Sequence, residues 1–189
     1  MPVITVTLLP GYAPEVEQRL VGRLATATRS VIPAAPAGTT VYVSHASTYQ
    51  RDDRVLTEAG SARPVASDIV RAFLQSMQDR DLPGAGRWLA PGFTMCFPGG
   101  TTMNGLDELI DWARGRYRQV AKDFGRFDES WTGEGAVVYC SGTLRGTWND
   151  GRDFSGVRFI DRFEVANGLI QRQDVWNDLA EVAARTAER

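Results

Sequence analysis

The chain has 189 residues, 43% of them hydrophobic, with 21 basic residues against 23 acidic ones. That length permits one large or two small globular domains, and a formal net charge of −2 leaves no basic footprint for nucleic acid. His45 is the only histidine, which excludes a multi-histidine metal site within one chain. The two cysteines, Cys96 and Cys140, lie in separate apolar runs without zinc spacing and read as buried free thiols. No leader and no apolar stretch of membrane length is legible, so a cytoplasmic protein that engages no membrane is expected. Lys122 is the only lysine among the basic residues; the bias toward arginine fits a GC-rich genome and by itself points to no function.

In chain order, residues 3–9 form a short β-branched run that Pro10-Gly11 breaks. Pro14 suits the first turn of a helix, and Glu15 and Glu17 suit the positive end of its dipole. Val16, Leu20, Leu24, Ala27 and Val31 then recur at helical spacing. Pro33, Pro36 and Gly38 mark an exit loop before a second strand over residues 40–44. The unit reads as β-α-β with parallel strands and a right-handed crossover. One such unit cannot cover both faces of its sheet, so it needs a partner, and a homo-oligomer of at least two chains is expected.

Over residues 2–55 this order, behind a proline next to the initiator methionine, resembles the 4-oxalocrotonate tautomerase family. The resemblance implies that Pro2, once Met1 is removed, is a general base, since a secondary amine can work near neutral pH when desolvated. The places where that family commonly carries substrate-binding arginines hold Tyr12 and Tyr42 here, which are the substrate-binding candidates of this unit.

Residues 59–66 lack periodicity, contain Gly, Ser and Pro, and read as a linker between a first domain at 1–58 and a second at 67–189. Ser67 is a candidate N-cap for a helix that buries Ile69, Val70, Phe73 and Met77 and ends near residue 81. A short helix at 82–89 and a strand at 93–97 follow. Asn104 is expected to cap a long helix whose stripe runs from Leu106 through Leu109, Ile110 and Ala113 to Tyr117 and Val120. A further strand is expected at 124–131 and a closing helix at 178–185. The most informative stretch lies between them. Three runs rich in Val, Ile, Phe, Tyr and Trp are separated by Asn149-Asp150-Gly151 and by Asn167-Gly168, the pattern of an antiparallel meander. Alternation puts Val157, Phe159, Asp161, Phe163 and Val165 on one face of the middle strand, an acid amid an apolar row. Apolar surroundings would favour a neutral, hydrogen-bond-donating carboxyl, whereas a neighbouring arginine would favour the charged form and a structural role.

Residues 65–185, above all Phe159-Ile160-Asp161-Arg162-Phe163 and Asn167-Gly168-Leu169-Ile170, resemble the NTF2-like or SnoaL-like fold, in which helices pack on a curved antiparallel sheet shaped as a cone. The expected class is therefore α+β, a tautomerase-like β-α-β unit followed by this cone. Asp161 matches the segment that carries the oxyanion-hole acid of ketosteroid isomerase, a group kept neutral by its apolar site. Phe73 and Phe97 occupy the places of that enzyme's tyrosine and aspartate base, so its mechanism does not carry over. Asp174 falls within a residue of the last-strand acid of SnoaL-type polyketide cyclases and limonene-epoxide-hydrolase-like enzymes. A one-residue slip decides whether Asp174 or Gln173 faces the pocket.

The resemblances imply an isomerase, tautomerase or polyketide cyclase that moves protons next to a carbonyl of a small, largely apolar or polyketide-like substrate, as in secondary metabolism, with neither metal nor organic cofactor. Pro2, Asp161 and Asp174 are the catalytic candidates. Trp88, Trp112, Tyr117, Tyr139, Trp148 and Trp176, with Phe73 and Phe97, are candidates to line the cavity. The alternatives are an epoxide-hydrolase-like enzyme and a non-catalytic ligand-binding or assembly protein.

Overall fold

The computed structural model describes residues 1–58 and 60–187. The chain divides into two compact units, 1–62 and 63–189. In the first, β1 (Val3–Leu8) and β2 (Thr40–His45) pair in parallel, in register from Val3 opposite Thr40 to Leu8 opposite His45, with α1 (Pro14–Val31) as the crossover. Pro14 opens the helix and Glu15 and Glu17 fill its first turn. The Glu17 carboxylate lies 2.7 Å from His45 Nε2, tying the start of α1 to the end of β2. Ile4, Val6 and Leu8 of β1 and Val41 and Val43 of β2 are half-buried, while the alternate positions are exposed. A small hairpin follows, β3 (Tyr49–Arg51) with β4 (Arg54–Leu56). Asp52 and Asp53 both take positive φ at its turn, 52° and 57°. That geometry suits the twist of a two-residue hairpin and is one that aspartate tolerates.

The second unit contains α2 (Ala66–Gln78), α3 (Leu82–Gly86), β5 (Leu89–Phe97), β6 (Thr101–Met103), α4 (Leu106–Arg114), β7 (Tyr117–Trp131), β8 (Gly135–Trp148), β9 (Asp153–Ala166), β10 (Leu169–Asn177) and α5 (Leu179–Ala187). Its six strands run in the order β6-β5-β10-β9-β8-β7. All neighbours are antiparallel except β10 and β5. The meander is β8, β9 and β10, turning at the expected Asn-containing loops. Val157, Phe159, Asp161, Phe163 and Val165 are all buried on one face of β9. They meet Ile69, Val70, Phe73 and Leu74 of α2, with the Phe73 and Phe163 rings edge to face at 6.0 Å. No helix among the described residues is long and apolar enough to cross a membrane.

The structure corrects the helix expected to run to Val120. Helix α4 stops at Arg114, and Tyr117 and Val120 belong to β7, opposite Trp148 and Gly146 of β8. Register shifts between Tyr117 and Gln119 and between Phe124 and Phe127 each disturb the alternation. Apolar residues consequently recur three or four apart along part of a strand, which mimics a helix. The N-cap expected at Ser67 is also absent. The α2 cap is Val65, and the Ser67 N–H donates instead to Glu129 Oε2 of β7 at 3.0 Å.

Sheet curvature depends on residues without side chains. A Cβ at Gly142 would collide with the Asp123 carbonyl oxygen and lie 3.0 Å from the Phe159 ring. One at Gly146 would collide with the Gln119 carbonyl and lie 2.7 Å from the Phe154 ring. Such glycines let a strongly bent sheet keep its backbones close. Gly142→Ala should therefore destabilise the second unit by about 1–3 kcal/mol, the usual cost of overpacking. An unchanged denaturant midpoint would show that the strands have room to spare.

Candidate active site

Helices α2 and α4 and the inner face of the sheet enclose a cavity of about 140 Å³. Phe73 and Met77 of α2, Leu109 and Trp112 of α4, and Phe159 and Val175 of the sheet make its walls apolar. Phe97 and Trp112 pack edge to face at 5.0 Å on one side. Tyr117 lines the space too; burial raises its phenol pKa more than Arg116 and Arg80 lower it. The phenol therefore remains a neutral donor at physiological pH. Polar groups converge on the cavity from separate strands, chiefly Lys122 of β7, Asp161 of β9 and Gln173 of β10.

Asp161 is fully buried, with 0% exposure, opposite Cys140 on β8 and Val175 on β10. Its Oδ2 accepts from Lys122 Nζ and from Gln173 Nε2, the latter at 3.2 Å. Its Oδ1 is buried and has no hydrogen-bond partner among the described residues. Lys122 Nζ also lies 4.5 Å from the centre of the Phe159 ring, within cation–π range. Of the two settings considered from the sequence, apolar surroundings and a paired cation, Asp161 has both. An oxygen that accepts from both an ammonium and an amide is an acceptor, and the cation is a lysine rather than the arginine considered from the sequence. Beneath this pair, burial pushes the Cys140 thiol from 9.0 up to about 12; Lys122 draws it down and Asp161 raises it further. Cys140 is thus an inert thiol at neutral pH.

Asp174 lies outside the cavity. A β-bulge between Ile170 and Arg172 resets the alternation of β10, so Ile170 enters the core while Gln173, Val175 and Asn177 face the cavity. Asp174 pairs instead with Arg172 at 2.8 Å and Arg162 at 3.2 Å. Four of the aromatic candidates are likewise outside the lining. Trp176 is 54% exposed and Tyr139 42% exposed. Trp148 packs against Phe154 with the ring centres 4.5 Å apart and the planes tilted by 38°, and Trp88 packs against the core. Phe73, Phe97, Trp112 and Tyr117 do line the space. In the first unit Tyr42 is 51% exposed and Tyr12 half-buried. Pro2 precedes β1 in the first unit, and its carbonyl accepts from the Thr40 N–H at 3.0 Å. Among the described residues, no three His, Cys, Asp or Glu side chains cluster as a metal site. Lys122 and Gln173 were not selected from the sequence as site residues. The signal for Lys122 was its uniqueness, and for Gln173 its place one residue before Asp174.

The sequence profile of the SnoaL-like domain matches residues 70–173, more than half of the chain. The chain belongs to the SnoaL-like family. Solved structures agree on the fold of this SnoaL-like unit. An NTF2-like protein of unknown function from Burkholderia pseudomallei K96243 is 27% identical, with a TM-score of 0.54 over 62% of this chain and 94% of its own. A protein from Xanthomonas campestris pv. campestris named as a candidate polyketide cyclase is 18% identical, with a TM-score of 0.52 over 63% of this chain and 94% of its own. TerC, crystallised with polyporic acid, is 18% identical, with a TM-score of 0.52 over 62% of this chain and 95% of its own. No curated protein sequence matches.

The ion pair carries a test of its own energetics. Lys122→Met leaves the Asp161 carboxylate buried without its cation and should cost about 3 kcal/mol or more. Combining it with Asp161→Leu removes both charges and should recover most of that loss. Chemical denaturation of the two single variants and the double variant measures the coupling; additive losses would mean that the two side chains do not share an interaction.

Proposed function

We propose that the SnoaL-like unit catalyses proton transfer next to a carbonyl, as an isomerase, tautomerase or aldol-type cyclase acting on a small, largely apolar or polyketide-like substrate. The observation that carries this reading is the buried, unpartnered Oδ1 of Asp161 at an apolar cavity, with a lysine ammonium on the other oxygen of the same carboxylate. A buried acceptor without a partner is costly, and a substrate that offers it a proton relieves that cost. Asp161 Oδ1 would take the proton from the carbon next to the carbonyl. The electron pair would move to the carbonyl oxygen, and Lys122 would stabilise the enolate by hydrogen bonding and charge. Gln173 holds the carboxylate in orientation. Returning the proton to another carbon completes an isomerisation; attack of the enolate carbon on a second carbonyl completes a cyclisation. The apolar, aromatic-lined space supports a flat, apolar ligand with few polar handles. Asp174, tied to two arginines on another face, is given no part.

Asp161→Asn keeps the shape and removes the basic oxygen. It should lower exchange of carbon-bound protons with deuterated water by about 10²–10⁴-fold across a panel of cyclic ketones and 1,3-diketones, the usual contribution of a general base. Binding without exchange by the unaltered protein would favour a ligand-binding role. Diol formation from an epoxide would favour the hydrolase.

The first unit is proposed to serve assembly into a homo-oligomer in the cytoplasm. Support comes from the exposed face of its two strands, with Val3 at 61% and Tyr42 at 51%, and from the absence of any fully buried residue in α1. Base chemistry at Pro2 belongs to the same proposal only for a chain freed of Met1. Light scattering should give at least twice the chain mass, and a monomer at micromolar concentration would dismiss the assembly role.

A further inference from the structure

We propose that Lys122 is also a nucleophile, forming an iminium with the substrate's carbonyl carbon while Asp161 relays the protons. The inference rests on the reading above that the substrate carries a carbonyl, and it adds a covalent step to that site.

Three observations lead to it. The first is chemical identity. The described basic–acidic pairs outside the cavity use arginine, as in Arg114–Asp111, Arg126–Asp128, Arg145–Asp123, Arg158–Asp178 and Arg172–Asp174, or histidine in His45–Glu17. The only lysine of the chain stands where a side chain meets the cavity and a fully buried acid. If charge were the whole requirement, a guanidinium would serve. A primary amine can lose a proton and bond to carbon, and a guanidinium does neither under ordinary conditions. The second is access. The Lys122 side chain is 23% exposed, its ammonium rests over the Phe159 ring, and the surrounding walls are apolar. An apolar pocket is the setting in which lysine amines become nucleophiles. The third is the proton partner. Asp161 Oδ2 already accepts from Nζ, and Oδ1 is unoccupied for a second transfer.

The step balances without any further reagent. The ammonium gives one proton to the carboxylate, and the free amine attacks the carbonyl carbon. A C–N bond forms as the C=O π pair moves to oxygen, which takes the proton back through Asp161. The resulting carbinolamine loses its oxygen as water, using one nitrogen-bound proton relayed by the same carboxylate. In sum, ammonium and ketone become iminium and water, and Asp161 ends as it began. The iminium then draws electrons from the neighbouring carbon more strongly than a neutral carbonyl does, which eases removal of a proton there by Asp161 Oδ1.

The composition makes the test clean, because the chain has one lysine side chain and one terminal amine. The full chain is incubated with benzaldehyde and cyanoborohydride, which reduces an imine to a stable benzylamine, and the modified peptide is mapped by mass. The expected result is one benzyl group on the peptide containing Lys122, formed at least about tenfold faster than on the terminal amine, since Asp161 is placed to take the ammonium proton and later to relay protons as the imine forms. Asp161→Asn should slow that labelling about tenfold or more with the lysine still present. Labelling confined to the terminal amine of the unaltered protein would overturn the inference, as would equal Lys122 labelling rates with and without Asp161. Lys122→Arg keeps the cation and cannot form the bond, so it separates this step from the broader reading. Loss of both label and ketone proton exchange supports the covalent role. Full exchange without label overturns it and leaves electrostatic proton transfer standing. Labelling of Lys122 in an unaltered protein that exchanges no ketone protons supports the nucleophile while dismissing the proton-transfer reading.

Discussion

A carboxylate without solvent contact sits at the centre of the curved sheet, and the organisation of the site follows from the need to satisfy it. Desolvating such a group costs several kcal/mol unless a cation and hydrogen-bond donors approach it closely. Here the donors come from strands on either side of β9. Gln173 reaches in from the adjacent β10, and Lys122 reaches across β8 from β7. Gly142 lies between the register positions of Lys122 and Asp161 on β8, where no side chain intervenes. The satisfaction is one-sided, since Oδ2 holds both donors and Oδ1 none. A purely structural ion pair would gain by using both oxygens. Leaving Oδ1 buried without a donor, in a residue that lines an apolar cavity, costs some stability.

Curvature and bulges decide which residues share that cavity. Bulges in β7 and β10 each break simple alternation, and both bear on the site. In β10 the break sends Ile170 inward together with Gln173 and turns Asp174 toward Arg162 and Arg172. The acid that family resemblance singles out on this strand is thereby held in an ion-pair cluster, and the neighbouring amide takes the inner position. In β7 the irregularities allow apolar residues at helix-like spacing to lie along one strand, and Lys122 emerges among them into the cavity. Bulges commonly re-aim side chains near functional sites in this way.

The first unit follows different physics. A two-stranded parallel sheet with one crossover helix has little interior, and none of the residues of α1 is fully buried. Half-buried Ile4, Val6, Val41 and Val43 alternate with an exposed face bearing Val3, Thr5, Thr7 and Tyr42. This shortage of interior supports the proposed assembly role. The second unit has a continuous core from Ala66 to Ile170.

Local signals in the sequence were enough for much of the architecture. Asn-Asp-Gly and Asn-Gly turns between β-branched runs determined the meander, and strict alternation determined that Asp161 shares a face with Phe159 and Phe163. The β-α-β order of the first unit was equally legible, because proline placement and helical periodicity act over a few residues. The Lys122–Asp161–Gln173 constellation was not legible. Its members come from three strands, and their meeting depends on sheet order, curvature and the register shifts in β7 and β10. A bulge adds one residue to a strand without a distinctive composition, so period-two reasoning misassigns every position beyond it. The same effect made Tyr117 and Val120 read as a helix and left Asp174 and Gln173 undecided. Sequence determined the elements and the central acid. Tertiary structure alone decided its partners, because side chains far apart in the chain meet only after the sheet has bent.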